Sequence, residues 1–164
     1  MQGFYQNYQI MKANHPAKAG VAINSQIVDN QINVSLKIKV NETNEYRVGA
    51  IIVEDDIVKR QVIYPNNSKE NAYWDDNFLH HSIATYIMPG TNVRQGKSLG
   101  IMKPGVEATE KFAIPLNKAI GNDRTVNYAN CRVIAYVFIK EGNDFIVNNV
   151  TSCPLGGSVD YLYE

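Results

Sequence analysis

Residues 32–40 alternate strictly between apolar and polar side chains, and this pattern constrains the fold of the chain more than any other feature of its sequence. The apolar side chains belong to Ile32, Val34, Leu36, Ile38 and Val40. Asparagine, serine and lysine occupy the positions between them. Successive side chains of a β-strand point to opposite faces, so the pattern predicts a strand with one face on a core and the other in water.

Six further stretches predict strands, and turn residues separate several of them. They are residues 20–28, 46–53, 57–64, 106–116, 132–140 and 145–150. Residues 46–53 are apolar on both faces apart from Arg47, which predicts a central strand. Asp29-Asn30 and Gly142-Asn143 are typical of hairpin turns. Seven strands at short spacing predict an all-β fold, an antiparallel β-sandwich of immunoglobulin-like or jelly-roll-like type.

One segment of the sequence fits two kinds of secondary structure. From Asp76 onward, apolar residues recur at helical spacing, and Pro89-Gly90 would end a helix. Residues 82–87 also suit a strand. We therefore expect either a short helix or a strand within one long crossover over residues 64–91.

The positive and negative charges of the chain balance, which argues against nucleic acid as a partner. The 164 residues include 16 lysines and arginines and 16 aspartates and glutamates, for a formal net charge of zero. A nucleic-acid-binding protein needs a basic excess, so nucleic acid is not expected as a partner.

No stretch approaches the ~18 apolar residues of a membrane-spanning helix, so no membrane span is expected. The length suits a linker or edge segment, residues 1–17, and one sandwich domain, residues 18–164.

The residues that carry reactive side chains form no recognised catalytic or metal-binding motif. His80 and His81 are adjacent and point in different directions on a strand or a helix, so they make no metal-binding pair. The run Glu54-Asp55-Asp56 predicts a solvated turn rather than a calcium loop. Nucleophile elbows, phosphate loops and dinucleotide motifs do not occur in the sequence. We therefore expect no catalytic, cofactor-binding or metal-binding residue and no enzyme activity.

Four residues are candidates for contact with a ligand. Tyr73 and Trp74 carry aromatic rings that can stack on a sugar, although such rings also pack at the edges of sandwiches. His80 and His81 follow them closely in the sequence. A carbohydrate-binding module that uses Tyr73 and Trp74 is the first alternative to a protein-binding or structural module, and a metal-assisted or carboxylate hydrolase is the second.

Cys131 and Cys153 stand on either side of the second hairpin turn. A turn centred on Gly142 would place them opposite each other, and a Gly142-Asn143 turn would shift them by one residue. A disulfide requires Cβ atoms about 4 Å apart, and an exported protein would favour it. Two free, buried thiols are the other outcome, and the sequence leaves both open. Because the chain has no Cys-x-x-Cys motif, redox catalysis is not expected.

Residues 47–58, with Gln61 after them, resemble a family of exported proteins of Bacteroidetes, the relatives of the twenty-eight-kilodalton outer-membrane protein. Its members carry a similar apolar strand that ends in Glu-Asp, the place of Glu54-Asp55 here, with a Gln shortly after. Residues 130–137 are similar to the family's final core strand. The likeness covers roughly residues 16–150.

A second part of the resemblance lies in residues 73–87, which are similar to the family's His-Asn-x-Val-x-Arg segment. His80 stands at the His position. The chain then departs from the pattern, with His81 at the Asn position, Ile83 at the Val position and Thr85 at the Arg position. The resemblance therefore carries no catalytic residue over to this chain.

The resemblance implies a β-sandwich that, in full-length relatives, follows a thioredoxin-like domain and an export or lipoprotein signal. Members are regarded as outer-membrane-associated or surface proteins, and some are described as adhesins. The first residues of this chain lack the basic and apolar segments of a signal peptide, which leaves two interpretations: a cytoplasmic protein, or a chain that starts inside a longer exported precursor. The resemblance implies the second, with any signal or anchor before Met1. We predict a non-catalytic domain of an exported envelope protein. It would bind a protein or glycan partner, serve in adhesion, or act as a structural module.

Overall fold

The computed structural model describes residues 2–65, 69–90, 96–116 and 125–161. These residues form one α-helix, thirteen β-strands and a short 3-10 helix, Tyr128–Asn130. The helix is α1 (Gln2–Asn14). The strands are β1 (Ala19–Val28), β2 (Gln31–Val40), β3 (Asn44–Glu54), β4 (Ile57–Val58), β5 (Gln61–Ile63), β6 (Tyr73–Asp75), β7 (Leu79–His80), β8 (Ile83–Met88), β9 (Lys97–Met102), β10 (Glu107–Pro115), β11 (Cys131–Glu141), β12 (Asp144–Pro154) and β13 (Ser158–Val159).

Two antiparallel sheets pack around one core. Sheet A has the strand order β10-β2-β1-β13, and sheet B has the order β12-β11-β3-β8, with β9 also paired to β3. The antiparallel all-β sandwich predicted from the sequence is thereby confirmed. Its finer assignment as immunoglobulin-like or jelly-roll-like stays a prediction. The central strand predicted for residues 46–53 is confirmed as well, because β3 has paired neighbours on both sides.

Alternate residues of both sheets form the core. Leu36 and Ile38 of β2 and Val48 of β3 are fully buried, with a relative exposure of 0%. Lys37, between the first two, is exposed on the outer face of sheet A. Each buried aliphatic side chain contributes about 1.5–3 kcal/mol of stabilisation. The alternation that predicts the strand is therefore also what makes it stable.

The outer face of sheet B is more apolar than that of sheet A. Tyr136 and Phe138 alternate with the core residues of β11 and so point away from sheet A, yet they are only 4% and 5% exposed. Their rings meet edge to face with centroids 5.2 Å apart. The ring of Tyr136 lies against Gly49 of β3, where a Cβ atom would come within 2.5 Å of the tyrosine oxygen. The missing side chain of Gly49 makes room for this ring.

Both hairpin turns expected from the sequence form. Asp29-Asn30 joins the paired ends of β1 and β2, with φ of 51° and 59°. Positive φ at both central residues gives a type I′ turn, whose twist matches that of the flanking strands. Gly142-Asn143 joins β11 to β12. Gly142 has a φ of 61°, a conformation that glycine adopts at little cost.

A β-bulge at Asn148 ties the N-terminal segment to sheet B. The register of β11 against β12 shifts by one residue here, which leaves Asn148 without an opposed residue. Its Oδ1 accepts hydrogen bonds from the backbone N–H groups of Lys18 at 2.7 Å and Ala19 at 3.1 Å. Its Nδ2 donates to the carbonyl of Pro16 at 3.1 Å. One side chain thus fixes the place where β1 begins.

The N-terminal segment, predicted as a linker or edge over residues 1–17, contains helix α1. Ile10 and Met11 of the helix are both 57% exposed, so α1 has no buried apolar stripe in its described side chains. Hydrophobic periodicity could not predict such a helix. Pro16 follows its end and disfavours the helical conformation at the preceding residue. No helix in the described part of the chain is long and apolar enough to cross a membrane.

The crossover segment that fits two kinds of secondary structure is β-structure in its described residues. Strands β6, β7 and β8 lie there, and no helix occurs among the described residues 69–90. The single strand predicted for residues 57–64 is divided into β4 and β5. β4 pairs with β7, and β5 pairs with β6. We call this two-stranded ribbon, residues 57–65 and 69–80, the arm.

Candidate functional site

The arm continues the pairing of β3 with β8 beyond the sheet. Glu54 lies opposite Ile83 in sheet B, and Ile57 lies opposite His80 in the arm, so the two strands keep one register through the junction. Farther along, Val62 lies opposite Trp74. Strands β5 and β6 pack chiefly against each other. A two-stranded ribbon buries little apolar surface, so its side chains are available to a partner.

Tyr73 and Trp74 lie next to each other on β6 and are 54% and 57% exposed. Adjacent residues of a strand point to opposite faces, so the two rings cannot flank one ligand together. On the Trp74 face, the Arg60 guanidinium carbon lies 4.1 Å from the centroid of the indole ring. Arg60 Nε is also 3.0 Å from Asp76 Oδ1. Trp74, Arg60 and Asp76 therefore form one exposed cluster, which we call the Trp74 cluster.

His80 and His81 face different surroundings. The ring of His80 meets the ring of Phe78 edge to face, with centroids 4.9 Å apart. His81 Nδ1 lies 3.4 Å from Asp56 Oδ1, and both side chains are 57% exposed. Among the described residues, no group of three or more His, Cys, Asp or Glu side chains converges as a metal site would require. The structure thus does not bring the two histidines together with Tyr73 and Trp74 into one pocket.

A polar cluster connects the base of the arm to the neighbouring strand β11. Arg132 Nε donates to Asp55 Oδ2 at 3.1 Å, and Arg132 Nη2 donates to Ser82 Oγ at 2.6 Å. The Ser82 backbone N–H donates to Asp55 Oδ1 at 2.6 Å. Hydrogen bonds from Arg132 and then from the Ser82 backbone hold the pKa of Asp55 below its usual value. We call these three residues the clamp.

Both connections between the sandwich and the arm pass through a residue in the left-handed conformation. Asp56 has a φ of 60° and Ser82 a φ of 58°. For a residue with a side chain, this conformation costs about 1–2 kcal/mol. Such residues persist where the surrounding structure determines their conformation, and here Ser82 belongs to the clamp and Asp56 directly follows its member Asp55. The ribbon therefore turns at a defined level, between sheet B and the arm.

The sequence did not single out the clamp. The sequence predicts that Asp55 belongs to a solvated acidic turn, whereas in the structure its carboxylate binds Arg132 and Ser82. Arg132 stands at the start of an apolar strand, and Ser82 stands in the segment that fitted two structures. Nothing in the local pattern shows that β11 lies beside β3, so the ion pair could not be predicted. A left-handed serine likewise has no sequence signature.

Cys131 and Cys153 are buried and form no disulfide, and each is 4% exposed. The expectation that they lie opposite each other is wrong, because Cys153 lies opposite Val133. The two-residue turn shifts the register by one residue, and the bulge at Asn148 shifts it once more. Cys131 Sγ donates to the carbonyl of Asn127 at 3.4 Å, and Cys153 Sγ donates to that of Gly157 at 3.6 Å.

The environment of Cys153 makes it unreactive. Burial raises the pKa of its thiol, and the hydroxyl of Ser25, 4.0 Å from its sulfur, only partly opposes that shift. The thiolate is the reactive form of cysteine, so a raised pKa lowers reactivity. Cys153 therefore behaves as a small core residue.

Fold and site together define a class of protein: an antiparallel β-sandwich with an exposed arm. The family model described as outer membrane protein Omp28 matches residues 5–159, nearly the whole chain, and the chain belongs to this family. The match confirms the resemblance noted in the sequence and extends it at both ends, into α1 and into β13. No curated protein and no solved structure matches the chain. The family name associates the chain with the outer membrane.

Proposed function

We propose that the chain is a non-catalytic binding domain of an exported, envelope-associated protein and that the arm is its contact surface. Membership of the outer membrane protein Omp28 family supports the location. In the clamp, the polar side chains bind one another as structural contacts, and this supports a role without catalysis. A protein or glycan of the envelope is the proposed partner, and adhesion is the proposed role.

The Trp74 cluster is the observation that carries this proposal. Tryptophan, tyrosine and arginine are the residues that most often dominate the energy of an interface. Arg60 is already held against the indole ring and beside Asp76, so it loses less freedom when a partner binds. Tyr64 and Tyr73, 50% and 54% exposed, add aromatic surface to the same ribbon.

The test is a binding titration with a matched control. The labelled chain is titrated onto isolated outer membranes of a Bacteroidetes bacterium, and saturable binding is expected. Trp74→Ala should weaken it about thirtyfold, since loss of a dominant interface residue costs about 2 kcal/mol or more. Tyr5→Ala removes a 65% exposed aromatic side chain of α1, outside the arm, and should leave binding unchanged. Absence of saturable binding, or equal losses in both variants, would refute the arm as contact surface.

A carbohydrate-binding module is the second candidate, and the Trp74 cluster favours it too. Arg60 covers one face of the exposed indole ring, and the other face can stack on a sugar ring while the neighbouring Asp76 binds its hydroxyls. Because Tyr73 points to the other face of the ribbon, Trp74 alone would supply the platform. A glycan array with Trp74→Ala as the control tests this candidate. Loss of membrane binding after periodate oxidation supports a glycan partner, and loss after protease treatment supports a protein partner.

A further inference from the structure

The junction between the arm and sheet B is bound by a side chain of a third strand, Arg132 of β11. We propose that Arg132 is a positioning residue, which fixes the direction of the arm by clamping a bend that the two ribbon strands would not keep on their own. Its effect on partner binding rests on the proposed function, whereas its effect on the direction of the arm does not.

The two strands of the ribbon keep the same register on both sides of the junction. Glu54 pairs with Ile83 on one side of the junction, and Ile57 pairs with His80 on the other. The intervening residues therefore face each other without a gap, Asp55 with Ser82 and Asp56 with His81. Two contacts across the ribbon agree with this order: Asp55 accepts from the Ser82 backbone at 2.6 Å, and His81 lies 3.4 Å from Asp56.

At this level of the ribbon, Asp56 and Ser82 depart from the backbone conformation of a strand. Residues in a regular strand have a negative φ, and Asp56 and Ser82 instead have φ of 60° and 58°. Both strands thus leave the extended conformation at neighbouring positions, which turns the whole ribbon. Neither residue is glycine, for which this conformation costs little, and serine adopts it less readily than aspartate does. Contacts from outside the ribbon have to hold the bend.

The contacts that hold the bend come from a third strand, β11. Arg132 belongs to β11, which pairs with β3 on the side opposite β8. From there its planar guanidinium group binds both strands of the ribbon, Asp55 through Nε and Ser82 through Nη2. A guanidinium group fixes geometry as well as distance, because its N–H groups form a rigid fork. The clamp therefore connects three strands at the one level where two of them turn.

The experiment compares the direction of the arm in five proteins by residual dipolar couplings of backbone amides. In the unaltered chain, the amide groups of β5 and β6 should fit the alignment tensor of the sandwich. In Arg132→Ala they should no longer fit it, while the amide groups of sheets A and B still do. Lys140→Ala is the matched control, because it removes another ion pair of β11, the one at 2.9 Å to Glu45, far along the strand from the arm. It should leave the arm unchanged.

The fourth protein separates positioning from simple support. Asp56→Gly removes the penalty of the left-handed conformation at one strand of the bend. In the double variant Asp56→Gly/Arg132→Ala, the couplings of the arm should return toward those of the unaltered chain. Couplings of Arg132→Ala that still fit the sandwich tensor would overturn the proposal, and a double variant no closer to the unaltered chain would overturn its strain component.

The fifth protein, Ser82→Ala, protects the test against misfolding of Arg132→Ala. Ser82→Ala keeps the ion pair of Arg132 with Asp55 and removes the hydroxyl, which accepts from Arg132 Nη2 at 2.6 Å and donates to Asp55 Oδ1 at 3.4 Å. A partial change in the couplings of the arm supports the clamp, and couplings equal to those of the unaltered chain count against the Ser82 contact. All measurements are made without a partner, so a failed binding titration leaves this result intact. Under the proposed function, Arg132→Ala should also weaken membrane binding about tenfold, equivalent to ~1.4 kcal/mol.

Discussion

The β3–β8 pair of the sandwich and the arm form one antiparallel ribbon, and its two parts are held in different ways. Within the sandwich, Val48 and Ala50 of β3 are fully buried between two sheets. Beyond Asp56, the continuing ribbon exposes about half of the Val58 and Trp74 side chains, at 54% and 57%. Apolar burial stabilises the first region, and a few polar contacts at the clamp orient the second. Substitutions should therefore affect stability in the sandwich and direction or binding in the arm.

The largest expected effect is in the core between the sheets. Leu36→Ala removes a side chain with 0% exposure from β2 and leaves a cavity. The free energy of unfolding should fall by about 2–5 kcal/mol in urea titrations followed by circular dichroism. Lys37→Ala, on the next residue and the solvent side, should change it by less than about 0.5 kcal/mol. Similar losses in the two variants would contradict the assignment of the faces of β2.

The next effect tests the close approach on the outer face of sheet B. Gly49→Ala would place a Cβ atom 2.5 Å from the hydroxyl oxygen of Tyr136. The ring has to move, and the free energy of unfolding should fall by about 1–3 kcal/mol. In a Tyr136→Leu background the same change should cost less, because the ring is gone. A double-mutant cycle measures this coupling, and simple additivity would count against the contact.

A smaller effect compares two tyrosines of sheet B. The Tyr46 hydroxyl donates to the carbonyl of Glu42 at 3.0 Å, whereas that of Tyr136 is buried without a hydrogen-bond partner among the described residues. Burial, and then Glu42, raises the pKa of Tyr46 to about 12, so this donor keeps its proton. Tyr46→Phe should cost about 0.5–1.5 kcal/mol, and Tyr136→Phe should leave stability unchanged or raise it. Urea titrations decide, and equal losses would contradict the difference.

The same comparison shows how far sequence reasoning reaches. The period-two pattern of residues 32–40 predicted β2 because burial on one face dictates the pattern. The predicted strand of residues 57–64 is broken in the arm, where little is buried and no pattern is enforced. The cysteine register failed for a related reason, because the bulge at Asn148 depends on contacts with a distant segment of chain.

The residues of the Trp74 cluster and of the clamp also differ in whether the sequence alone could predict them. Trp74 could be proposed from the sequence because an exposed aromatic residue is notable by its type alone. Its partner Arg60, fourteen positions earlier, depends on the pairing of β5 with β6. Arg132 depends on the order of strands in sheet B, which local periodicity does not encode. Sequence therefore predicted the sheets and one side chain of the candidate site, and topology supplied the others.

The smallest expected effect concerns pH, and it separates the arm from the sandwich. Hydrogen bonds from Arg132 and Ser82 lower the pKa of Asp55 in the folded chain. A lowered pKa means that the clamp is complete above the ordinary aspartate pKa and is lost as the pH falls through the folded value. Trp74 is the single tryptophan of the chain, so its fluorescence anisotropy reports on the arm. Anisotropy should fall on acidification while the circular dichroism of the sheets persists.

Asp55→Asn is the control for this pH dependence. Asparagine keeps the shape of the side chain and an acceptor for the Ser82 N–H, but it carries no charge for Arg132. In this variant the anisotropy of Trp74 should be low at neutral pH already, with little further change on acidification. An acid transition of the same size in both proteins would assign it to another carboxylate. The arm would then be oriented by contacts other than the clamp, and its difference from the sandwich would be one of exposure alone.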